Sequence, residues 1–326
     1  RRWVRRAAFY VGSLAGALCG LIAAAAILRH SFWLYCFATF FGGFYAAVSQ
    51  SYRFAAADGA SPAFRPRAIS WVMAGGVVAG IIGPQLVQNT MNLWPPYLFA
   101  ATYLGQAAVA LLAMLVLAGV DAPPPPPAGE GTGRPLRQVV SQPLFIVAAI
   151  CGVVSYALMN LVMTSAPLAM QMCGLSLSDS NLAIQWHVIA MYAPSFFTGS
   201  LIGRFGAGRI VALGLALEAA AAVVDLSGLG VGHFWTGLIL LGFGWNFGFI
   251  GASAMVVESH GALERNKVQA FNDFLIFGTM ALGSFSSGKL LTDYGWDMVN
   301  YVVFPPVAVA LAALAWRAMR LTPRPA

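Results

Sequence analysis

Asp121-Ala122-Pro123-Pro124-Pro125-Pro126-Pro127-Ala128-Gly129-Glu130-Gly131-Thr132-Gly133-Arg134-Pro135-Leu136-Arg137-Gln138-Val139-Val140-Ser141-Gln142 is the one long polar, helix-hostile interruption in this chain. Its five consecutive prolines stiffen into an extended strut and its glycines loosen the backbone after them, so the stretch reads as a linker and not as a core element. The sequence on either side is far too apolar for water. That contrast predicts two membrane-embedded helical halves, residues 1–120 and 143–326, joined by a linker over residues 121–142.

Of the 326 residues, 59% are hydrophobic and only 9% charged, with a mean hydropathy of +0.75. Soluble domains carry roughly 25% charged residues, so the class is a polytopic membrane protein whose solvent is the lipid bilayer. The net charge of +7 comes from basic residues placed singly or in pairs between apolar runs. No stripe of them interleaves with aromatics, which excludes nucleic acid as the partner and leaves topology-setting loop charge. Cys19, Cys36, Cys151 and Cys173 lie in or beside apolar runs without metal-ligand spacing and read as packing residues.

A hydrocarbon core of about 30 Å takes about 20 apolar residues at a 1.5 Å rise. Counted so, the chain has ten spans, at residues 8–28, 32–52, 68–89, 96–119, 143–163, 183–202, 210–228, 234–256, 268–290 and 298–317, the fifth extending towards Gln171. Lysine and arginine favour the cytoplasmic side. With Arg1 cytoplasmic, sixteen basic residues sort to that side and only Arg29 and Lys289 to the other. The linker and C-terminus are then cytoplasmic too.

Phe64-Arg65-Pro66-Arg67-Ala68 enters the third span and Glu264-Arg265-Asn266-Lys267-Val268 the ninth, at an offset of 200 residues. Gly42 and Gly242, and Gly83 and Gly283, share that offset. The repeat pairs the four spans before the linker with the last four after it, and so predicts a six-plus-six bundle of twelve helices. Two of these, in about 60 residues, are then expected before Arg1.

Val4-Arg5-Arg6 before the first span and Gly199-Ser200-Leu201-Ile202-Gly203-Arg204-Phe205-Gly206 in the second half resemble the G-x-x-x-D-R-x-G-R-R loop of bacterial permeases of the major facilitator superfamily. Gly203 stands where that loop has an aspartate. Gly75-Gly76, Gly80 and Gly83-Pro84 are similar to the glycine-rich fifth helix of proton-driven exporters, with Ala79 and Val87-Gln88 departing from it, so no export direction carries over. Tyr52-Arg53-Phe54-Ala55-Ala56-Ala57-Asp58 and Trp245-Asn246-Phe247 resemble a proteobacterial subgroup of these permeases; a vitamin-like metabolite is one substrate class this allows. The resemblance spans essentially the whole chain. It implies an all-α, polytopic transmembrane bundle that moves a small organic solute by alternating access, monomeric, in the bacterial inner membrane, and coupled to protons.

Helical spacing selects the residues expected to face a solute. Tyr45, Ser49 and Tyr52 share one face of the second span, Tyr156 and Asn160 one face of the fifth, and Trp245, Asn246 and Ser253 lie in the eighth. The resemblance makes these the pathway-lining fourth, seventh and tenth helices of twelve. Tyrosines, tryptophan and amides suit a neutral or aromatic solute, although hydrogen bonding between helices is an equal explanation of each. Gln185 and His187 join them on the sixth span, where His187 reads either as an interfacial polar residue or as a proton-sensing or solute-binding one. Glu218, nine residues into the seventh span, is the candidate proton carrier, because an intramembrane carboxylate is expensive without a role. Asp225 lies nearer the outer end and can snorkel. Arg53 with Asp58, Arg204 and Arg209 with Asp273, and Glu264 with Arg265 are candidate cytoplasmic gate charges, the alternative being simple topology anchors.

Gly283-Ser284-Phe285-Ser286-Ser287-Gly288-Lys289-Leu290 matches most of a phosphate-cradling loop, but it falls inside an apolar helix and Leu290 replaces the required hydroxyl. Its small residues read instead as close helix packing. No His, Cys or carboxylate cluster supplies catalytic, metal or cofactor chemistry. A membrane receptor or scaffold that retains the transporter fold without cycling is the rival reading.

Overall fold

The computed structural model describes residues 2–61, 64–120 and 133–321, and every element among them is a helix. It divides into two compact units, Arg1–Pro127 and Ala128–Ala326. The first holds α1 (Arg2–Leu28), α2 (Phe32–Gly59), α3 (Arg65–Thr90) and α4 (Ala100–Ala118). The second holds α5 (Leu136–Val140), α6 (Pro143–Met172), α7 (Leu177–Tyr192), α8 (Ser195–Phe205), α9 (Ala207–Leu226), α10 (Val231–Glu258), α11 (Arg265–Tyr301) and α12 (Phe304–Leu321).

Eight apolar stretches among the described residues are long enough to cross a bilayer, one of them the 56-residue run Arg265–Arg320. That run contains the last two expected spans: Gly295, at φ +83°, bends it where a side chain would be strained. The expected span 183–202 is also helical but broken, because Pro194 has no N–H to continue α7 into α8. The fourth span starts later than its apolar run, at Ala100, since Pro95 and Pro96 keep the preceding residues out of the helix. α6 runs through Pro167 to Met172, so the fifth span is the longer version. The stretch Gly283–Leu290 is helical throughout, without the strand and loop a phosphate cradle needs.

In the first unit α1 is the central packing element. A Cβ at Gly20 would lie 2.5 Å from the Tyr103 carbonyl and 2.9 Å from the Ala107 nitrogen, so α1 and α4 meet backbone to backbone. In the second unit the tightest seam is between α9 and α10. A Cβ at Gly214 would stand 2.6 Å from the Gly244 carbonyl and 2.9 Å from the Gly248 Cα. Such small-residue contacts draw membrane helices together where lipid supplies no hydrophobic force. α7 is started by a capping box: Ser176 Oγ accepts from the Asp179 N–H at 3.0 Å, and the Ser176 N–H donates to Asp179 Oδ2 at 3.2 Å.

The end of the expected linker is folded. Leu136–Val140 is helical with Val139 fully buried, and the backbone before it is fastened to the turn between α10 and α11. Val139 supplies an apolar anchor that the proline run lacks.

Candidate functional site

Five aromatic rings from four helices of the second unit meet at one place. Trp245 and Phe249, one turn apart on α10, stack at 5.2 Å with planes 15° apart. Tyr156 of α6 meets Trp245 at 5.5 Å, Phe249 at 5.1 Å and Phe277 of α11 at 5.5 Å, each with the two rings nearly perpendicular. Tyr192, the last residue of α7, meets Trp245 at 5.7 Å. These are the edge-to-face and offset arrangements that aromatic quadrupoles favour. Trp245 is fully buried and its Nε1–H has no acceptor. Tyr156, Tyr192 and Phe277 are half-buried and form the more accessible side of the cluster.

Below Tyr156 the same stripe of α6 turns polar. Asn160 Nδ2 donates to Ser284 Oγ of α11, and Thr164 Oγ1 donates to Ser287 Oγ at 3.2 Å. The small residues of the phosphate-loop lookalike therefore serve as partners in the α6–α11 contact. Asn160 is 7% exposed, so it is engaged in that contact and borders the cluster.

Asn246 lies next to Trp245 but its amide is spent elsewhere. Nδ2 donates to the Met191 carbonyl at 2.6 Å and to Ser195 Oγ at 2.8 Å, and Oδ1 accepts from Thr198 Oγ1 at 2.6 Å. His187, expected near the membrane interface, is instead fully buried, and its Nδ1–H donates to the Leu238 carbonyl at 2.6 Å. The carbonyl can only accept, so the proton is on Nδ1; Nε2 is left buried without a partner. Gln185, on the same helix, is half-buried.

Glu218 is fully buried on α9, and neither carboxylate oxygen has a hydrogen-bond partner. It faces the glycine side of α10: a Cβ at Gly244 would lie 2.7 Å from Glu218 Cγ, and one at Gly248 would lie 3.0 Å from Ser155 Cβ and 3.8 Å from Glu218 Oε1. Asp225, two turns further along α9, does not snorkel. It is 1% exposed, its oxygens are unpartnered, and a Cβ at Gly237 would come within 2.5 Å of its Cγ. The glycines of α10 make the room that lets both carboxylates turn inward.

In the first unit, Tyr45, Ser49 and Tyr52 form a half-buried face of α2 that packs on α1. Tyr45 lies against Gly16, Ser49 Oγ donates to the Tyr45 carbonyl at 3.0 Å, and Tyr52 meets Phe9 edge-on at 4.7 Å. The side chains of Arg53 and Asp58 lie outside those described.

Arg204 lies over the Phe205 ring at 5.2 Å, Arg209 and Arg265 sit at the heads of α9 and α11, and Asp273 neighbours Asn272 Nδ2 at 3.4 Å. Glu264 is joined to Arg134 and not to Arg265. Oε1 accepts from Arg134 Nε at 2.7 Å and from the Arg134 N–H at 2.9 Å, while Oε2 accepts from Arg134 Nη2 at 2.7 Å and from the Gly261 N–H at 2.9 Å. Lys267 Nζ donates to the Arg134 carbonyl. These bonds, those from the Arg134 guanidinium above all, hold the Glu264 carboxyl well below the usual carboxylate range.

Sequence reasoning found Tyr156 and Trp245 but missed Tyr192, Phe249 and Phe277. Phe249 was signalled by its i, i+4 spacing from Trp245; the other two, on separate helices, carried no such signal.

The chain is 52% identical to the riboflavin transporter RfnT of Brucella anthropi, over 99% of this chain and 81% of that protein. It is 29% identical to the MFS-type transporter YdeG of Bacillus subtilis, over 93% of this chain and 74% of that one. The E. coli fucose:proton symporter FucP aligns with a TM-score of 0.64 at 12% identity, covering 98% of this chain and 84% of that one. A bacterial homologue of the iron transporter ferroportin aligns with the same score at 14% identity, covering 98% and 85%. These two structures speak for the fold alone. The family model described as Major Facilitator Superfamily matches residues 1–184 and again 148–326, and with the helical, multi-pass architecture above this makes the chain a member of that superfamily of membrane transporters.

Proposed function

We propose that this chain moves riboflavin, or a flavin closely like it, across the bacterial inner membrane by alternating access. The linker and C-terminus are cytoplasmic and the coupling ion is the proton. The observation that carries the reading is the five-ring cluster at Tyr156, Tyr192, Trp245, Phe249 and Phe277, in a chain half identical to a riboflavin transporter. A flavin is a flat, uncharged heteroaromatic ring bearing a polyol chain. Aromatic faces accept such a ring by stacking and dispersion. The α6 stripe from Tyr156 through Asn160 to Thr164 passes from ring to amide to hydroxyl over about 12 Å at a 1.5 Å rise, so polar groups border the rings on the side where a polyol chain could lie.

Glu218 is the proton station in this reading. It is buried without a partner, beside Ser155, on the flank of α10 that adjoins the stacked rings. An isolated intramembrane carboxylate is retained against its cost when a charge must come and go.

The test is uptake of radiolabelled riboflavin by a riboflavin-auxotrophic bacterium with no flavin uptake of its own. Cells expressing the chain should accumulate the vitamin and lose it on addition of a protonophore. Glu218→Gln should abolish accumulation while leaving riboflavin exchange intact. No accumulation by membrane-inserted wild-type protein would sink the transport reading; riboflavin binding without accumulation would favour a receptor on the same fold.

A further inference from the structure

We infer that Asn246 is a positioning residue: it pins the break between α7 and α8 so that Tyr192 stands against Trp245, and thereby ties the ring cluster to the half-helix that ends at the Arg204–Arg209 turn. This rests on the reading of the cluster as the solute site.

The expected span 183–202 breaks at Ala193-Pro194, near its middle. At that depth no water is available, so backbone groups released by the break need partners from the protein. Asn246 provides one, for the Met191 carbonyl, and the Pro194 carbonyl accepts from Thr198 Oγ1 at 2.8 Å. One amide N–H is taken by the Met191 carbonyl on the α7 side and the other by Ser195 Oγ on the α8 side, while Oδ1 holds Thr198 Oγ1 one turn further. Asn246, Ser195 and Thr198 are all fully buried. Both amide donors are therefore committed to the two sides of one hinge, which leaves neither for a solute.

The pin sits one residue from each of two cluster rings: Asn246 follows Trp245, and Met191 precedes Tyr192. The two half-helices are held differently. α7 is riveted to α10 by the His187 bond to Leu238, and by Gly242, where a Cβ would lie 2.6 Å from the His187 carbonyl and 2.9 Å from Ala190 Cβ. α8 carries Phe196 at 62% and Phe197 at 47% exposure, meets α10 through Phe197 and Phe247 at 6.4 Å, and is hydrogen-bonded to it at the pin. α7 is thus the fixed arm and α8 the moving one. A solute that displaces Tyr192 from Trp245 strains the Met191 bond first, and the strain is delivered to α8 and so to the cytoplasmic turn.

Hydrogen exchange of the full chain in lipid nanodiscs, without solute, tests the hinge directly. Asn246→Ala and Thr198→Val should raise exchange at residues 195–205 at least tenfold and leave residues 181–190 unchanged, while Thr198→Ser, which keeps the hydroxyl, should match wild type. Riboflavin binding, read by quenching of flavin fluorescence, should change less than about threefold in Thr198→Val, while maximal transport falls at least tenfold. Unchanged exchange at 195–205 in Thr198→Val overturns the hinge, as does a loss of affinity that matches the loss of rate. Should Asn246→Ala fail to fold, the Val and Ser pair at position 198 decides alone. If wild-type protein neither binds nor carries riboflavin, the flavin reading fails, and the solute-free exchange still judges the hinge.

Discussion

Replacing Tyr156 by alanine separates the ring cluster from folding better than a change at the buried Trp245 does. Trp245 is fully buried on Phe249, and truncating such a residue costs about 3–5 kcal/mol of stability, so lost transport there would say little. Tyr156 is half-buried and meets three rings nearly at right angles, at 5.1 to 5.5 Å. Stacking of a flat heteroaromatic on one side-chain ring is worth about 1–3 kcal/mol. At 1.36 kcal/mol per tenfold, Tyr156→Ala should raise the KM for riboflavin about 5- to 150-fold, and Tyr156→Phe should stay within about threefold because the ring remains. The assay is initial uptake against riboflavin concentration, normalised to transporter in the membrane. A KM for Tyr156→Ala within twofold of wild type, at normal membrane levels, would refute the solute role of the cluster. Equal damage from Tyr156→Phe would move the role from the ring to the hydroxyl.

Two further outcomes test the packing and the linker. Gly214→Ala places a methyl where the Gly244 carbonyl is 2.6 Å away; ordinary contact needs about 3.5 Å, so α9 and α10 must part by nearly an ångström, at an overpacking cost of about 1–3 kcal/mol. Detergent melting should show the loss, and Gly43→Ala, which has open space for its Cβ, should show none. For the linker clamp, Glu264 is depressed by Arg134 in the fold and titrates near 4.3 when unfolded. Its contribution is therefore present above the unfolded value and lost as pH falls through the lower folded one. The melting-temperature gap between wild type and Glu264→Gln should be constant from about pH 8 to 6 and close as the pH is taken below about 4.3; a gap that widens in acid would contradict the clamp.

The helices were legible because a bilayer asks only for length and apolarity, which the sequence displays openly at residues 8–28 or 234–256. The interruption at Pro194 was not, since Phe196 and Phe197 keep the local average apolar; the proline itself was the available signal. The depth of His187 and Asp225 was hidden for a different reason. Each needs a glycine on another helix, Gly242 to bring the His187 backbone close to α10 and Gly237 to admit the Asp225 carboxylate, and pairing of that kind has no trace in local spacing. The glycines at 237, 242, 244, 248 and 251 of α10 were the legible half of it. Arg134 and Glu264 stand 130 residues apart, so spacing offered Arg265 as the nearer partner while the folded turn supplies Arg134.

Trp245 and Phe249 share one flank of α10 at i, i+4; Gly244 and Gly248 share the adjoining flank, about 100° round the helix. The first flank holds the stacked rings and the second receives Glu218 and Ser155. On the proposed reading, solute and proton stations thus lie on two sides of little more than one turn, with no intervening element. A small rotation of this turn exchanges ring contacts on one flank and changes the surroundings of an unpartnered carboxylate on the other. The glycine flank is seated backbone to backbone against α9, and the pin at Asn246, on the same turn, commits it to α7 and α8. On that reading solute occupancy, carboxylate charge and the α8 hinge form one mechanical unit, and their coupling energies should fall together when Thr198→Val loosens the pin.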